Sequence, residues 1–193
     1  MKRTVFFAVV TVAGLFWVAM PMPLTTSWWC STDRTRCGGQ IDGIAKIEIA
    51  RDAMESLMGD WTAQTNLGLM AYGHRREADC SDIETIIPPG RVDPSEFLSR
   101  VRQITPRGKT PLSAAIEKAA DELAFRDNPA TVVVISDGIE SCERDPCALA
   151  NDLERAGIGF TAHVIGFGLD SEEEQESLAC IAEQTGRPFH CRV

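Results

Sequence analysis

Two side chains that carry oxygen atoms stand at points of the sequence where binding chemistry is often found. Thr110 lies in the stretch RGKTPLSAAI, after a glycine-containing loop and at the start of a helical pattern, and Asp137 directly follows the apolar stretch TVVVI. Each also has a purely structural interpretation, because Thr is a common helix N-cap and Asp before Gly is a common turn at a strand end. The sequence shows no nucleophile–base pair and no glycine-rich phosphate loop, so these residue types favour binding over catalysis.

Cysteine pairing is the second chemistry that the sequence suggests. Cys142 and Cys147 flank a short acidic loop just after Asp137. They are candidates for a disulfide that would stiffen this loop and stabilise the fold by about 2 kcal/mol. Cys80 and Cys180 are either a second pair or buried thiols. The chain has an odd number of cysteines, seven in all: Cys30, Cys37, Cys80, Cys142, Cys147, Cys180 and Cys191.

The elements that must position these residues form an alternating pattern. The hydrophobic periodicity and the turn signals predict helices over 43–59, 110–123, 145–157 and 171–186, and a helix that starts at Asp93 and carries Phe97, Leu98 and Val101. They predict strands over 66–72, 82–87, 131–135 and 160–167. The unbroken apolar run at 131–135 is typical of a central parallel strand that is buried on both faces. The alternation predicts an α/β fold with a mostly parallel sheet, whose carboxyl edge is the usual place for function.

The N-terminus has the composition of a secretory signal peptide. A basic start is followed by the apolar run 4–20 and then by Pro21 and Pro23. Residues 1–23 therefore predict a signal peptide, with an uncleaved membrane anchor formed by residues 4–20 as the alternative. Export places the protein in the periplasm or at the outer face of the membrane, where disulfides are allowed. The net charge of −9 without a basic patch argues against nucleic-acid binding.

Residues 41–186 resemble the von Willebrand factor type A (VWA) domain, in particular its bacterial exported members. The resemblance rests on GIAKIEIARDAMESL, GKTPL and VVVISDG, in that order. It implies a Rossmann-like, doubly wound, mostly parallel sheet flanked by helices. It also implies a metal-ion-dependent adhesion site (MIDAS) for one divalent ion, usually Mg²⁺. Thr110 would supply the second loop's ligand and Asp137 the third loop's, and an open coordination position would take the carboxylate of a protein or other ligand.

The family's first strand and its Asp-x-Ser-x-Ser metal loop are missing. Their place holds SWWCSTDRTRCGG, at 27–39, whose cysteines have no histidine nearby to suggest a zinc site. The codons of this stretch, read in a shifted frame, permit M-V-V-L-D-G-S-N-S-M-W, in which both Val are forced by the genetic code. The C-terminal GRPFHCRV, a poor last strand, similarly permits G-G-R-F-I-A. We therefore hypothesise that residues 24–40 and 187–193 are out-of-frame translation around a domain at 41–186.

This hypothesis predicts a disrupted central first strand, which residues 25–31 imitate at best. Unpaired inner strands would each leave buried backbone groups that cost about 1–3 kcal/mol apiece, so we expect poor expression. The expected function is metal-dependent protein or ligand binding in the cell envelope, with weak or absent metal binding by this chain. The alternatives are a structural envelope module with a vestigial metal site and a metal-dependent hydrolase using Asp137. The hydrolase is disfavoured because no general base accompanies that residue, so we predict that the protein is not an enzyme.

Overall fold

A computed structural model describes residues 4–8, 46–59, 66–105, 107–169 and 171–192. Its elements, in chain order, are β1 (Thr4–Ala8), α1 (Lys46–Gly59), β2 (Leu67–Tyr72), β3 (Ile83–Gly90), α2 (Pro94–Gln103), α3 (Leu112–Glu122), β4 (Ala130–Ser136), α4 (Pro146–Ala156), β5 (Thr161–Phe167), α5 (Glu172–Gln184) and β6 (Phe189–Arg192). The strands form one six-stranded sheet in the order β3-β2-β1-β4-β5-β6.

The sheet is parallel except at one edge, which confirms the predicted α/β class. β2 and β3 pair antiparallel, whereas β1 pairs parallel with both β2 and β4, and β5 pairs parallel with β4 and β6. All residues of β2 are buried, and so are all residues of β4 except Thr131. Continuous burial of this kind is expected for inner strands that are covered on both faces, and it explains their unbroken apolar sequences.

The central position next to β2 and β4 is held by a segment that differs from the one expected. Residues 4–8, which the sequence pattern assigns to the signal peptide, form β1 and pair at Phe7 with Leu69 and Val133. Both inner strands therefore have a backbone partner. Residues 25–31, the stretch expected to imitate the first strand, lie outside the described residues, as does the rest of 9–45.

The starts of α2 and α5 follow the sequence signals for capping. The Asp93 side chain accepts hydrogen bonds from the backbone N–H groups of Ser95 and Glu96 at the start of α2. Ser171 and Glu174 form the predicted capping box of α5. These contacts satisfy backbone N–H groups that have no partner inside the helix. None of the helices in the described ranges is long and apolar enough to span a membrane.

The C-terminal residues form an edge strand, although their sequence predicts a poor one. β6 pairs with β5 from Val164–Phe189 to Phe167–Arg192. The aromatic ring of Phe189 lies against Gly166, where a Cβ atom would come within 2.7 Å of it. The missing side chain at Gly166 makes room for this ring, so packing against the core compensates for a sequence with little β propensity.

Candidate functional site

Asp137 lies at the carboxyl edge of the sheet, in the turn that follows β4. The Ser136 hydroxyl donates a hydrogen bond to the Gly138 carbonyl at 2.7 Å, which closes this turn. The Asp137 side chain is fully buried, and its Oδ2 lies 3.6 Å from the ammonium of Lys46, the first residue of α1. A carboxylate in such an environment requires a positive charge close by, because burial strongly disfavours an unpaired ion.

Thr110 is buried in the loop before α3 and is tied to the loop that follows Asp137. Its backbone N–H donates to the Ser141 hydroxyl at 2.7 Å, and its carbonyl accepts from the Ser141 N–H at 3.0 Å. Thr110 is not the N-cap of α3. The helix begins at Leu112, and its cap residue, Pro111, makes no side-chain cap hydrogen bond. The structural interpretation of Thr110 as an N-cap is therefore wrong.

Glu140 takes the capping role instead, and no local pattern in the sequence predicted it. Its Oε2 accepts a hydrogen bond from the Ser113 N–H at 2.8 Å, in the first turn of α3. Its Oε1 accepts from the Cys142 N–H at 2.7 Å. A carboxylate at a helix N-terminus is favourable because it satisfies free N–H groups and complements the helix dipole. The acid and the helix it caps are 27 residues apart, so no local pattern reveals the contact.

Two glycines let the loop after β2 pack directly on the loop before α3. The Gly73 carbonyl accepts hydrogen bonds from the N–H groups of Arg107 and Gly108, at 3.0 and 2.8 Å. A Cβ atom at Gly108 would collide with the Arg76 carbonyl, and one at Gly73 would collide with the Lys109 carbonyl. Gly73 also has a positive φ of 59°, which only glycine adopts without strain. The backbone beside Thr110 is therefore held by contacts that other residues would block.

The disulfides correct the predicted pairing. Cys142 is bound to Cys80 and Cys147 to Cys180, so the proposed Cys142–Cys147 bridge is not formed. Cys147 lies in the first turn of α4, which packs on α5, the helix that carries Cys180. Cys142 lies earlier in the loop and meets the β2–β3 connection. The two cysteines that are close in sequence therefore bond to different parts of the fold.

Asp82 stabilises the β2–β3 connection through hydrogen bonds to residues of that same connection. Its carboxylate is fully buried and accepts hydrogen bonds from the backbone N–H groups of Arg75 and Arg76, at 2.7 and 2.9 Å, and from the Arg75 side chain at 2.7 Å. Burial alone would raise the pKa of Asp82, but these hydrogen bonds and the Arg75 charge together hold the pKa below its usual value. The connection that carries Cys80 is therefore rigidly attached to the sheet.

The pKa of Tyr72, the last residue of β2, is affected by the negative charges of this region. Burial raises its pKa well above the usual value, the Ser136 hydroxyl opposes this, and the charges of Asp137 and Glu140 raise it further. The phenol is therefore neutral at physiological pH, and it is a fully buried polar group that interacts electrostatically with both acids.

The described residues do not fit a Mg²⁺ site on their own. Thr110 offers one hydroxyl and Asp137 one carboxylate, and an ammonium group already lies against that carboxylate. Within the part of the chain that the structure describes, no group of three or more His, Cys, Asp and Glu side chains is arranged to hold a metal ion. Mg²⁺ requires near-octahedral oxygen ligation, which these groups do not supply.

The structure is a doubly wound α/β domain, and it places Asp137 and Thr110 at the carboxyl edge of its sheet. This arrangement is typical of a class of α/β binding domains. The chain belongs to the von Willebrand factor type A domain family, whose model matches residues 32–140. The matched segment includes both Thr110 and Asp137. This confirms the resemblance drawn from the sequence motifs.

Two relatives come from Bacillus subtilis (strain 168). The uncharacterized protein YwmD is 30% identical over 143 residues, which cover 69% of this chain and 64% of YwmD. The uncharacterized protein YwmC is 25% identical over 137 residues, which cover 66% of this chain and 60% of YwmC. This chain therefore spans less than two thirds of either relative.

Solved structures share the fold at low identity. An aerotolerance-related membrane protein from Bacteroides fragilis superposes with a TM-score of 0.65 and 18% identity, over 98% of this chain and 90% of that chain. Proximal thread matrix protein 1 from the mussel byssus, with a zinc-occupied MIDAS motif, superposes with a TM-score of 0.60 and 13% identity, over 98% of this chain and 41% of that chain. Manganese-loaded Plasmodium vivax TRAP superposes with a TM-score of 0.56 and 17% identity, over 92% of this chain and 63% of that chain. At these identities the likeness shows the fold alone.

Proposed function

We propose that this protein is exported and binds a protein or another carboxylate-bearing ligand in the cell envelope, through the surface around Asp137 and Thr110. Domains of this family are typically interaction modules and not enzymes. The described site fits this role because the Asp137 carboxylate is buried and paired with Lys46. A hydrolase using Asp137 has no such support.

The observation that carries the proposal is the way three connections are joined at the carboxyl edge. The Cys80–Cys142 disulfide ties the β2–β3 connection to the loop after β4. Ser141 ties that same loop to Thr110, and Glu140 ties it to the start of α3. A surface held this firmly loses little conformational entropy when a partner binds, and this favours affinity.

Divalent metal contributes weakly or not at all in this chain, and it would contribute fully where the family's first loop is intact. The zinc and manganese of two structural relatives support a divalent ion in the family. Residues 24–40, where the first loop belongs, and 187–193 are proposed to be out-of-frame translation. The nucleotide sequence tests this directly: some frame across residues 27–37 must encode Asp-x-Ser-x-Ser, and a gene without such a frame would refute it.

Capture from envelope extract tests the function. The full chain and a chain with the first loop restored are each immobilised, with and without EDTA, and matched Asp137→Ala chains serve as controls. We expect the restored chain to retain a partner that EDTA and the substitution both release. Retention by every chain regardless of EDTA would support the alternative of a structural module with a vestigial metal site.

A further inference from the structure

The loop before α3 carries two exposed cations that the described part of the fold does not neutralise. The side chains of Arg107 and Lys109 form no ion pair and no hydrogen bond with any residue that the structure describes. By contrast, Arg76 of the neighbouring β2–β3 connection pairs with Asp79 at 2.6 Å. Glu77 of that connection is an exposed acid, so the positive surface is narrow. Both cations of the loop are available to an outside partner.

The backbone that carries these cations is held in place. The N–H groups of Arg107 and Gly108 donate to the Gly73 carbonyl, just after β2, at 3.0 and 2.8 Å. Two hydrogen bonds then join Thr110 to Ser141, in the loop after β4. A partner that binds here has to order the side chains but not the loop, and this lowers the entropic cost of binding.

The connections farther along the same edge are acidic. Glu143, in the loop after β4, is exposed and forms no ion pair with a described residue, whereas Arg144 beside it pairs with Glu117. Glu172 and Glu173 are exposed in the first turn of α5, after β5. Because the strand order is β2-β1-β4-β5, the cations lie beside β2 and the acids follow β4 and β5. The carboxyl edge therefore changes the sign of its charge along its length.

We propose that this edge binds a polypeptide segment with segregated charges, whose acidic part meets Arg107 and Lys109 and whose basic part lies toward Glu143. The distance from β2 to β5 is three strand spacings, about 14 Å, which about five extended residues span. The planar guanidinium of an arginine suits a carboxylate, because it can donate two parallel hydrogen bonds. A phosphate polymer is negative throughout and would be repelled by the acids, whereas a polypeptide supplies both signs of charge. The inference rests on the proposed function, since it names the chemistry of the partner at the same surface.

Titration of the full chain with capped synthetic peptides tests this inference. The segregated peptide is Glu-Glu-Glu-Gly-Gly-Lys-Lys-Lys, and Glu-Lys-Glu-Gly-Gly-Lys-Glu-Lys has the same composition with its charges mixed. At low ionic strength, fluorescence anisotropy should show about fivefold tighter binding of the segregated peptide, and high salt should remove the difference. Arg107→Gln/Lys109→Gln should weaken binding of the segregated peptide by about fivefold, as expected for the loss of two exposed ion pairs.

Arg91→Gln/Arg155→Gln provides a matched control with the same change of charge. Both arginines are exposed and form no ion pair with a described residue, and Arg155 lies in the last turn of α4, at the opposite edge of the sheet. This variant should bind the segregated peptide as the parent does. Equal losses in the two double variants, or equal affinities for the segregated and mixed peptides, would overturn the inference. Tighter binding of polyphosphate than of the segregated peptide would overturn it as well.

Capture from envelope extract separates the inference from the proposed function. A partner that is retained equally with and without the Arg107→Gln/Lys109→Gln substitutions would overturn the inference and leave the proposed function standing. The expected peptide selectivity, together with no retained partner on any chain, would uphold the charged surface and refute the proposed function.

Discussion

Removing the Cys80–Cys142 disulfide tests how the carboxyl edge is assembled. This bond closes a segment with a sequence separation of 62, and the Cys147–Cys180 bond closes one with a separation of 33. In the chain-entropy account each cross-link stabilises the fold by about 4 kcal/mol, because the cost of closing a loop grows only slowly with its length. Domains of this kind have about 5–15 kcal/mol in total, so either loss is large.

The assay compares the double serine variants Cys80→Ser/Cys142→Ser and Cys147→Ser/Cys180→Ser by urea unfolding and amide hydrogen exchange. Both variants should lose a similar free energy of unfolding. Only the first should speed exchange at the amides of Thr110 and Ser113, because these N–H groups donate to Ser141 and Glu140 in the loop that Cys142 anchors.

Two results would refute this reasoning. A disulfide-linked peptide joining Cys142 to Cys147, found by non-reducing peptide mapping, would restore the pairing expected from the sequence. Unchanged stability of Cys80→Ser/Cys142→Ser would show that the cross-link does not hold the β2–β3 connection against the loop after β4.

Three further outcomes are expected. Burial, Arg187 and His190 lower the pKa of His163 from 6.5 to about 4, so the folded protein should lose up to about 3 kcal/mol as pH falls from 6.5 to 4, and urea unfolding of His163→Gln should show a smaller loss. Gly108→Ala should cost about 1–3 kcal/mol by thermal unfolding because its Cβ meets the Arg76 carbonyl, whereas Gly59→Ala, with open space around it, should cost nothing. Deleting residues 1–23 removes β1, so the truncated chain should melt at a lower temperature than the full chain when both are followed by circular dichroism.

The sign of the His163 prediction follows from its charge states. Its folded pKa lies below the unfolded value, so the unfolded chain binds more protons between pH 6.5 and 4. The contribution is complete above pH 6.5 and disappears as the pH approaches the folded pKa. Flat stability across this window would show that the imidazole is solvated and not buried between β5 and the C-terminal residues.

Local patterns predicted most of the fold because they depend on neighbouring residues. The caps at Asp93 and Ser171 and the apolar runs of β2 and β4 depend on neighbours within a few positions, and each was placed correctly. The central strand was not placed correctly. An apolar run such as residues 4–20 fits a signal peptide, a membrane anchor and a buried strand equally well by composition. Periodicity alone does not distinguish these environments.

The candidate site residues were chosen by family resemblance, whereas their contacts depend on distant parts of the chain. The structure places Asp137 and Thr110 at the carboxyl edge, and their role as metal ligands stays a prediction. Lys46, Glu140 and the true disulfide partners were missed. Each of these interacts across at least 27 residues, so no spacing rule connects them. The nearest cysteines were paired in the prediction because proximity in sequence was the only available guide.

Calorimetric titration with Mn²⁺ tests most directly the central claim, that this VWA chain has a strand-end binding surface with an incomplete metal site. The full chain should bind weakly or not at all. A chain with Asp-x-Ser-x-Ser restored should bind one ion, and Asp137→Ala should abolish this. Tight one-to-one binding by the full chain, or no binding by the restored chain, would contradict the account.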